Sequence, residues 1–471
     1  MSWKIFLGNI VTSSKINELN AFSGYVLVKN GQIHGVGKLA DLEKEYYDFD
    51  TKCEVIHLLP HQFLMPGFVD CHTHAPQFPN IGLGLDLPLL QWLDKYTFPL
   101  EKKYEDTQFA ARVYDKVVRR LLDNGTTTAC YFGSLHSEGT VELAKSALRH
   151  KQRAFIGKVS MDVKNDTGYY NNTQDELKEV KMFCEKINSY KNELVKPIIT
   201  PRFALSCSIE LMKGLAELAD RYMCPIQTHV SENKKEIEAV LAMFPDCSSY
   251  SEVYDRCDIL KRRSLGCILA HGVWLSDAEL ALLVSRRAAV AHCPASNTRL
   301  RSGLCPVRRL LDHGVTVGLG TDVSGGDSAS ILDAMRRAMD VSTHLEMLTA
   351  RERALDWKEV FYLATRGGAE ALSILYNGSL ESLFDFDALV IDVYTDGQVD
   401  KFDYQPASGE EYILQLLQKF IYVGDDRNIV QVYVKGEKVK DVNHLEKKVT
   451  TLQSVIKNIT AREKQICNRQ K

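Results

Sequence analysis

Two histidines separated by one residue, His72-Thr73-His74, close the apolar run Gly67-Phe68-Val69-Asp70. On a strand, side chains two apart point to one side, so both imidazoles can reach one ion. Three more metal-competent residues stand in the same phase. His229 follows Ile226-Gln227-Thr228, His271 follows Ile268-Leu269-Ala270, and Asp322 follows Gly318-Leu319-Gly320-Thr321. An isolated H-x-H pair carries little weight in a chain with 13 histidines. Core histidines, however, would not share one position at the ends of three separate runs, with an aspartate at the end of a fourth. The set is imidazole and carboxylate, and no cysteine is placed to join it, because Cys71 alternates with His72 and should face away. Nitrogen and oxygen donors suit Zn²⁺, and also Fe²⁺ or Mn²⁺. Three or four protein ligands with one open position make a catalytic site, where a bound water ionises near pH ~7. Thr200-Pro201-Arg202 ends the fourth run, where binuclear sites on similar barrels carry a lysine, so one metal ion per chain is expected. Glu232, three residues after His229, can take a proton from that water and pass it on. The competing reading of Glu232 is a helix-start glutamate favoured by the macrodipole.

These residues need a frame that brings distant strand ends together. Eight short apolar runs alternate with helical-period segments over residues 66–377. They begin at Gly67, Thr127, Ala154, Lys196, Pro225, Gly266, Ala288 and Val315. Continuous apolar strands alternating with helices predict a parallel sheet covered on both faces. Eight repeats predict an α/β fold of the (β/α)₈ TIM-barrel type, with the active site at the C-terminal strand ends. A doubly wound open sheet is the alternative. Residues 1–65 and 378–440 read as short strands and predict a small β-sandwich domain formed from both termini. In it Asn30-Gly31 suits a type I′ hairpin turn. Residues 441–471 are a charged tail. Leu445, Val449, Leu452, Ile456 and Ile459 fall at heptad spacing there and predict an amphipathic helix, docked on its own protein or joining two chains.

The chain has 471 residues, with 58 Lys and Arg against 61 Asp and Glu. That balance excludes the basic footprint of a nucleic-acid binder. No apolar run approaches the ~18 residues of a membrane span. The 12 cysteines form no C-x-x-C pair, and the first residues lack the apolar core of a signal peptide. Reduced thiols in the cytoplasm are therefore expected rather than a disulfide framework.

The segment Pro66-Gly67-Phe68-Val69-Asp70-Cys71-His72-Thr73-His74, with His229, His271 and Asp322, resembles the amidohydrolase superfamily. His292-Cys293-Pro294 and Gly424-Asp425-Asp426-Arg427-Asn428 also carry a closer resemblance, and Tyr96-Thr97-Phe98-Pro99 and Pro201-Arg202-Phe203 narrow it to the guanine deaminase family. The resemblance implies that His72, His74, His229 and Asp322 hold one Zn²⁺. It implies that Glu232 shuttles protons, with Asp322 and His271 completing the catalytic group. Gln77, Arg202 and Phe203 would hold the purine, alongside His74, His229, Glu232 and Asp322. The implied reaction is hydrolytic attack at C2 of guanine, with Glu232 protonating N3 and xanthine and ammonia as products. No organic cofactor is implied, and a homodimer is. The return segment Gly378–Phe384 lacks the family's second glycine, expected near Ser382, and the tail beyond Val439 lies outside the resemblance. Two rivals remain: an enzyme of the same scaffold acting on a pterin, triazine or adenosine-type substrate, and a non-catalytic scaffold homologue.

Overall fold

The computed structural model of the chain describes residues 3–46, 52–261, 265–350, 352–395, 408–442, 447–451 and 454–456. It divides into two compact units, one of residues 1–67 with 376–471 and one of Phe68–Leu375.

In the first unit the long strand Trp3–Lys15 pairs antiparallel with Glu18–Lys29. Its other edge pairs parallel with Lys52–His57 and then with Gln62–Pro66. Gln62–Pro66 continues antiparallel to Ala388–Asp392, Ile429–Val434 and Glu437–Asp441, so chain from both termini shares one network. Alternate residues bury on opposite faces, as a pleated strand requires. Phe6, Ile10, Val26 and Val28 enter one core with Leu64 and Val390, while Ile5, Leu7, Tyr25 and Leu27 enter another with Val55. Asn30 and Gly31 have φ of 52° and 79°, the two left-handed positions that a type I′ turn needs. Near the missing glycine, Leu383 itself takes φ 75°, and its N–H donates to the Ile33 carbonyl at 2.8 Å.

The helix expected in the tail is not formed at Lys447–Thr451. That stretch is a strand antiparallel to Lys52–His57. Heptad spacing cannot see an open strand edge, whereas the β-branched run Val449-Thr450-Thr451 suits one. Among the described residues of the tail only Ser454–Ile456 is helical, and Leu445, Leu452 and Ile459 lie outside the described residues.

The second unit carries the eight expected strands: β1 (Phe68–His74), β2 (Thr126–Phe132), β3 (Arg153–Gly157), β4 (Val195–Pro197), β5 (Ile226–Val230), β6 (Cys267–His271), β7 (Ala288–His292) and β8 (Val317–Leu319). They form two parallel four-stranded ladders, in the orders β4-β3-β2-β1 and β5-β6-β7-β8. One seam between the ladders is a parallel bridge of Ile199 with Ile226. At the other, Asp322 N–H donates to the His72 carbonyl at 2.9 Å and His74 N–H to the Val323 carbonyl at 3.0 Å. β1, β2, β6 and β7 are buried along their whole length, because helices cover the face turned from the barrel axis. Cys71 points as expected into that layer, its Sγ 3.5 Å from the Gly368 carbonyl of helix Arg366–Ala371.

Candidate active site

β1 presents His72 and His74 on one side, and its continuation Ala75–Asn80 carries Gln77. β5 ends with His229 and Val230, then turns at Ser231, which has φ 47°. His271 closes β6 at φ 75°, and Asp322 lies three residues past β8 at φ 47°. Non-glycine residues in this region cost free energy that the surrounding structure must supply, and such outliers concentrate at working sites. Asp70 fixes one of the three. Its carboxylate accepts Thr321 Oγ–H at 2.6 Å and Thr321 N–H at 3.1 Å, tying the chain beyond β8 to β1. Burial pushes the Asp70 carboxyl up to about 7.

The predicted ligands meet. His72 Nε2 is 3.2 Å and His74 Nε2 3.6 Å from Asp322 Oδ1, and His74 Nε2 is 3.1 Å from His229 Nε2. Four donors about 2.1 Å from a tetrahedral ion stand about 3.4 Å apart, so this spacing fits zinc. Proton placement fits as well. Burial lowers His72, and holds His74 and His229 well below the ordinary histidine range, which favours the neutral form that a metal ligand needs. His229 Nδ1 lies 2.5 Å from the Arg202 carbonyl, which only an N–H can satisfy, so Nε2 presents its lone pair to the centre. Burial opposes the charge on Asp322. The imidazoles of His72, His271 and His74 outweigh it and hold the carboxyl well below its usual range. His72, His229 and His271 have ligand atoms within 4.8 Å of one another, and so do His72, Cys293 and Asp322. Cys293 lies within that reach without being one of the expected ligands. Its thiol, pushed well above its ordinary range by burial, contacts the Ala291 carbonyl at 3.5 Å.

Glu232 does not cap the helix that follows. Asn233 and Glu236 form the capping box of Lys234–Met243. The Glu232 carboxylate instead accepts Ser302 Oγ–H at Oε1, 2.8 Å, and places Oε2 3.6 Å from His271 Nε2. Burial pushes its carboxyl up, with the His271 charge opposing. Burial alone would lower His271, but the charges of Glu232 and Asp322 raise it.

His74, His229, Glu232, His271 and Asp322 open on a cavity lined also by Gln77, Arg202, Phe203, Trp92 and Leu300. Arg202 is clamped by Glu101, Nη1 to Oε2 at 2.6 Å and Nη2 to Oε1 at 3.1 Å, and stacks 4.9 Å over the Phe98 ring. Gln77 donates to Glu101 Oε1 at 3.0 Å and accepts Ser324 N–H at 3.2 Å. Glu101, Ser302 and Asn297, which accepts at 2.9 Å from His271 Nδ1, were not legible in the sequence. Glu101 opens the run Glu101-Lys102-Lys103, which reads as a solvated charge cluster, and the other two sit on turn-like polar sequence.

Residues 63–439 match the model of the amidohydrolase family. A guanine deaminase of Mus musculus is 47% identical over 92% of this chain and 96% of its own length. The guanine deaminase of Rattus norvegicus is 44% identical over the same shares. A solved guanine deaminase from C. acetobutylicum, with guanine bound in its active site, superposes with a TM-score of 0.84 at 34% identity. It covers 93% of this chain and 100% of its own. Ligand geometry, family match and near full-length relatives agree, and the chain belongs to the amidohydrolase family, among its guanine deaminases.

Proposed function

We propose that the chain converts guanine and water to xanthine and ammonia at a single-zinc centre. The observation that carries this is the meeting of four imidazoles and two carboxylates beside a cavity that the Glu101-clamped Arg202 also lines. His72, His74, His229 and Asp322 would hold the ion. Bound there, zinc supplies a water acidic enough to react near neutral pH. Arg202 donates to the purine carbonyl oxygen, Gln77 contacts the purine edge, and Phe203 packs on the ring. Glu232 takes one proton from the attacking water and delivers it to N3 as the new C–O bond forms at C2. Asp322 accepts the second proton, which leaves with the exocyclic amine as ammonia when the C–N bond breaks. His271 hydrogen-bonds the incoming oxygen.

The same reading includes a homodimer in the cytoplasm. The eleven described cysteines are free thiols, which suits a reducing compartment, and no described helix is long and apolar enough to cross a membrane. Sedimentation of the purified chain tests the dimer. For the activity, the zinc-loaded chain is given guanine, and loss of purine absorbance is followed with ammonia release. Turnover of a pterin, triazine or adenosine with none of guanine would replace the substrate. No turnover of any would leave the scaffold reading.

A further inference from the structure

Two groups that the proposed reaction uses, Glu232 and His271, are held by one stretch of chain outside their own strands. Asn297 belongs to helix Pro294–Arg299. Its side-chain oxygen accepts from His271 Nδ1 at 2.9 Å, which leaves Nε2 facing the cavity. Its backbone carbonyl accepts the N–H of Ser302 at 2.8 Å and of Gly303 at 3.3 Å, folding the following turn back on the helix. Ser302 Oγ–H then reaches Glu232 Oε1 at 2.8 Å. The turn is anchored twice more. Trp274 Nε1–H donates to the Ser302 carbonyl at 2.8 Å, and Cys305 Sγ lies 3.5 Å from the His271 carbonyl. Gly303 has φ 140°, and a Cβ there would come within 2.6 Å of the Trp274 ring, so the turn and the indole fit only with glycine.

We propose that Ser302 is a positioning residue that decides which oxygen of Glu232 moves the proton. A carboxylate has two oxygens, either of which can carry a proton. A serine hydroxyl has one hydrogen, and here it is committed to Oε1. Oε2 is left open, 3.6 Å from His271 Nε2 and beside the cavity. The backbone end is fixed too, because Glu232 N–H donates to Glu236 Oε2 at 3.1 Å. Held at both ends, the carboxylate keeps Oε2 aimed at the reacting atoms. Without the serine, either oxygen can turn away, and a misaimed proton carrier costs rate rather than binding.

The inference rests on Glu232 as the proton carrier, and the experiment separates the two. Ser302→Ala is made in the full-length, zinc-loaded chain. We expect kcat for guanine to fall by roughly 10- to 100-fold, the worth of a hydrogen bond to a charged group, with zinc content unchanged. KM should stay within about twofold, because only a transition-state alignment is lost. Ser302→Thr, which returns the hydroxyl, should recover most of the rate. In a Glu232→Gln background the same Ser302→Ala change should cost about nothing further, since coupled residues are not additive. A Ser302→Ala enzyme with normal kcat beside an inactive Glu232→Gln would overturn the positioning role alone. A fully active Glu232→Gln would overturn the proton-carrier reading itself. A higher KM at unchanged kcat would make Ser302 a binding residue and also overturn the proposal. Should Ser302→Ala not fold, Ser302→Cys keeps the volume with a weaker donor, and normal kcat in it would equally overturn the claim.

Discussion

Glu101 holds Arg202 through two hydrogen bonds while accepting a third from Gln77, and all three side chains are buried. One carboxylate from the excursion after β1 thereby fixes two polar side chains that line the cavity. Removing one member of a buried ion pair strands the other charge, at about 3–5 kcal/mol. Arg202→Met should therefore lower unfolding free energy by about that much, and it should lower guanine turnover far more than zinc content. Arg202→Met with Glu101→Gln should regain much of the stability and none of the turnover. Denaturant unfolding beside steady-state rates checks both. A double variant as unstable as the single would show that the stranded charge is not the cause.

Glu232→Gln keeps the side-chain shape and cannot carry a proton. It should retain about one zinc per chain and lose at least ~10²-fold in kcat, the low end for general acid–base catalysis. Elemental analysis and single-turnover rates decide this. Loss of zinc in the variant would make Glu232 a ligand instead.

The strand ends were legible because a strand has period two and a barrel places its chemistry at one rim. His72, His74, His229, His271 and Asp322 followed from those rules alone. Glu101 did not, because the contact that matters joins residues 101 positions apart and sequence records no such meeting. Ser302 and Asn297 were hidden for the same reason. Cys293 was passed over because it comes after β7 ends, where strand alternation gives no direction. The tail strand failed differently: helical spacing was present, but the open edge of Lys52–His57 determined the structure.

His292, at the end of β7, is fully buried, and burial pushes its ring down to about 3. The folded chain keeps it neutral, while the unfolded chain protonates it near its ordinary value of ~6.5. The unfolded state then binds more protons, so stability from this group is present above pH ~6.5 and drains as pH falls toward ~3. Relative to His292→Leu, the native protein should lose up to about 1.4 kcal/mol per pH unit below ~6.5. Denaturant unfolding of both proteins at pH 7 and 5.5 measures the change. An unaltered gap would mean the ring is already charged in the fold.

Leu383 occupies φ 75° with its side chain in solvent, next to Ser382, where the family resemblance implies a glycine. A left-handed non-glycine residue costs roughly 1–2 kcal/mol, and glycine gives back about 0.5–1 kcal/mol through its freer unfolded chain. Leu383→Gly should raise unfolding free energy by roughly 0.5–1 kcal/mol with guanine turnover unchanged. A destabilised variant would place the worth of Leu383 in contacts rather than backbone.

The guanidinium of Arg202 also predicts which purine is refused. Arginine has five N–H donors and no acceptor. Two of them are spent on Glu101, leaving further donors on a side chain that lines the cavity and nothing on it that can accept. Guanine meets them with a carbonyl oxygen at C6. Adenine has an amine there, a donor against donors, and it lacks the amine at C2 that the reaction removes. A rotated adenine that brings its own amine to the metal would leave the Arg202 donors without an acceptor in a buried site. Sites built to hydrogen-bond one group reject an analogue lacking it by as much as ~10⁴–10⁵. The kcat/KM for guanine should therefore exceed that for adenine by at least ~10⁴, and Arg202→Met should narrow the ratio chiefly by lowering the guanine value. Parallel ammonia-release assays on the two purines give the ratio. Comparable rates would remove Arg202 from substrate recognition and leave Glu101 a purely structural partner.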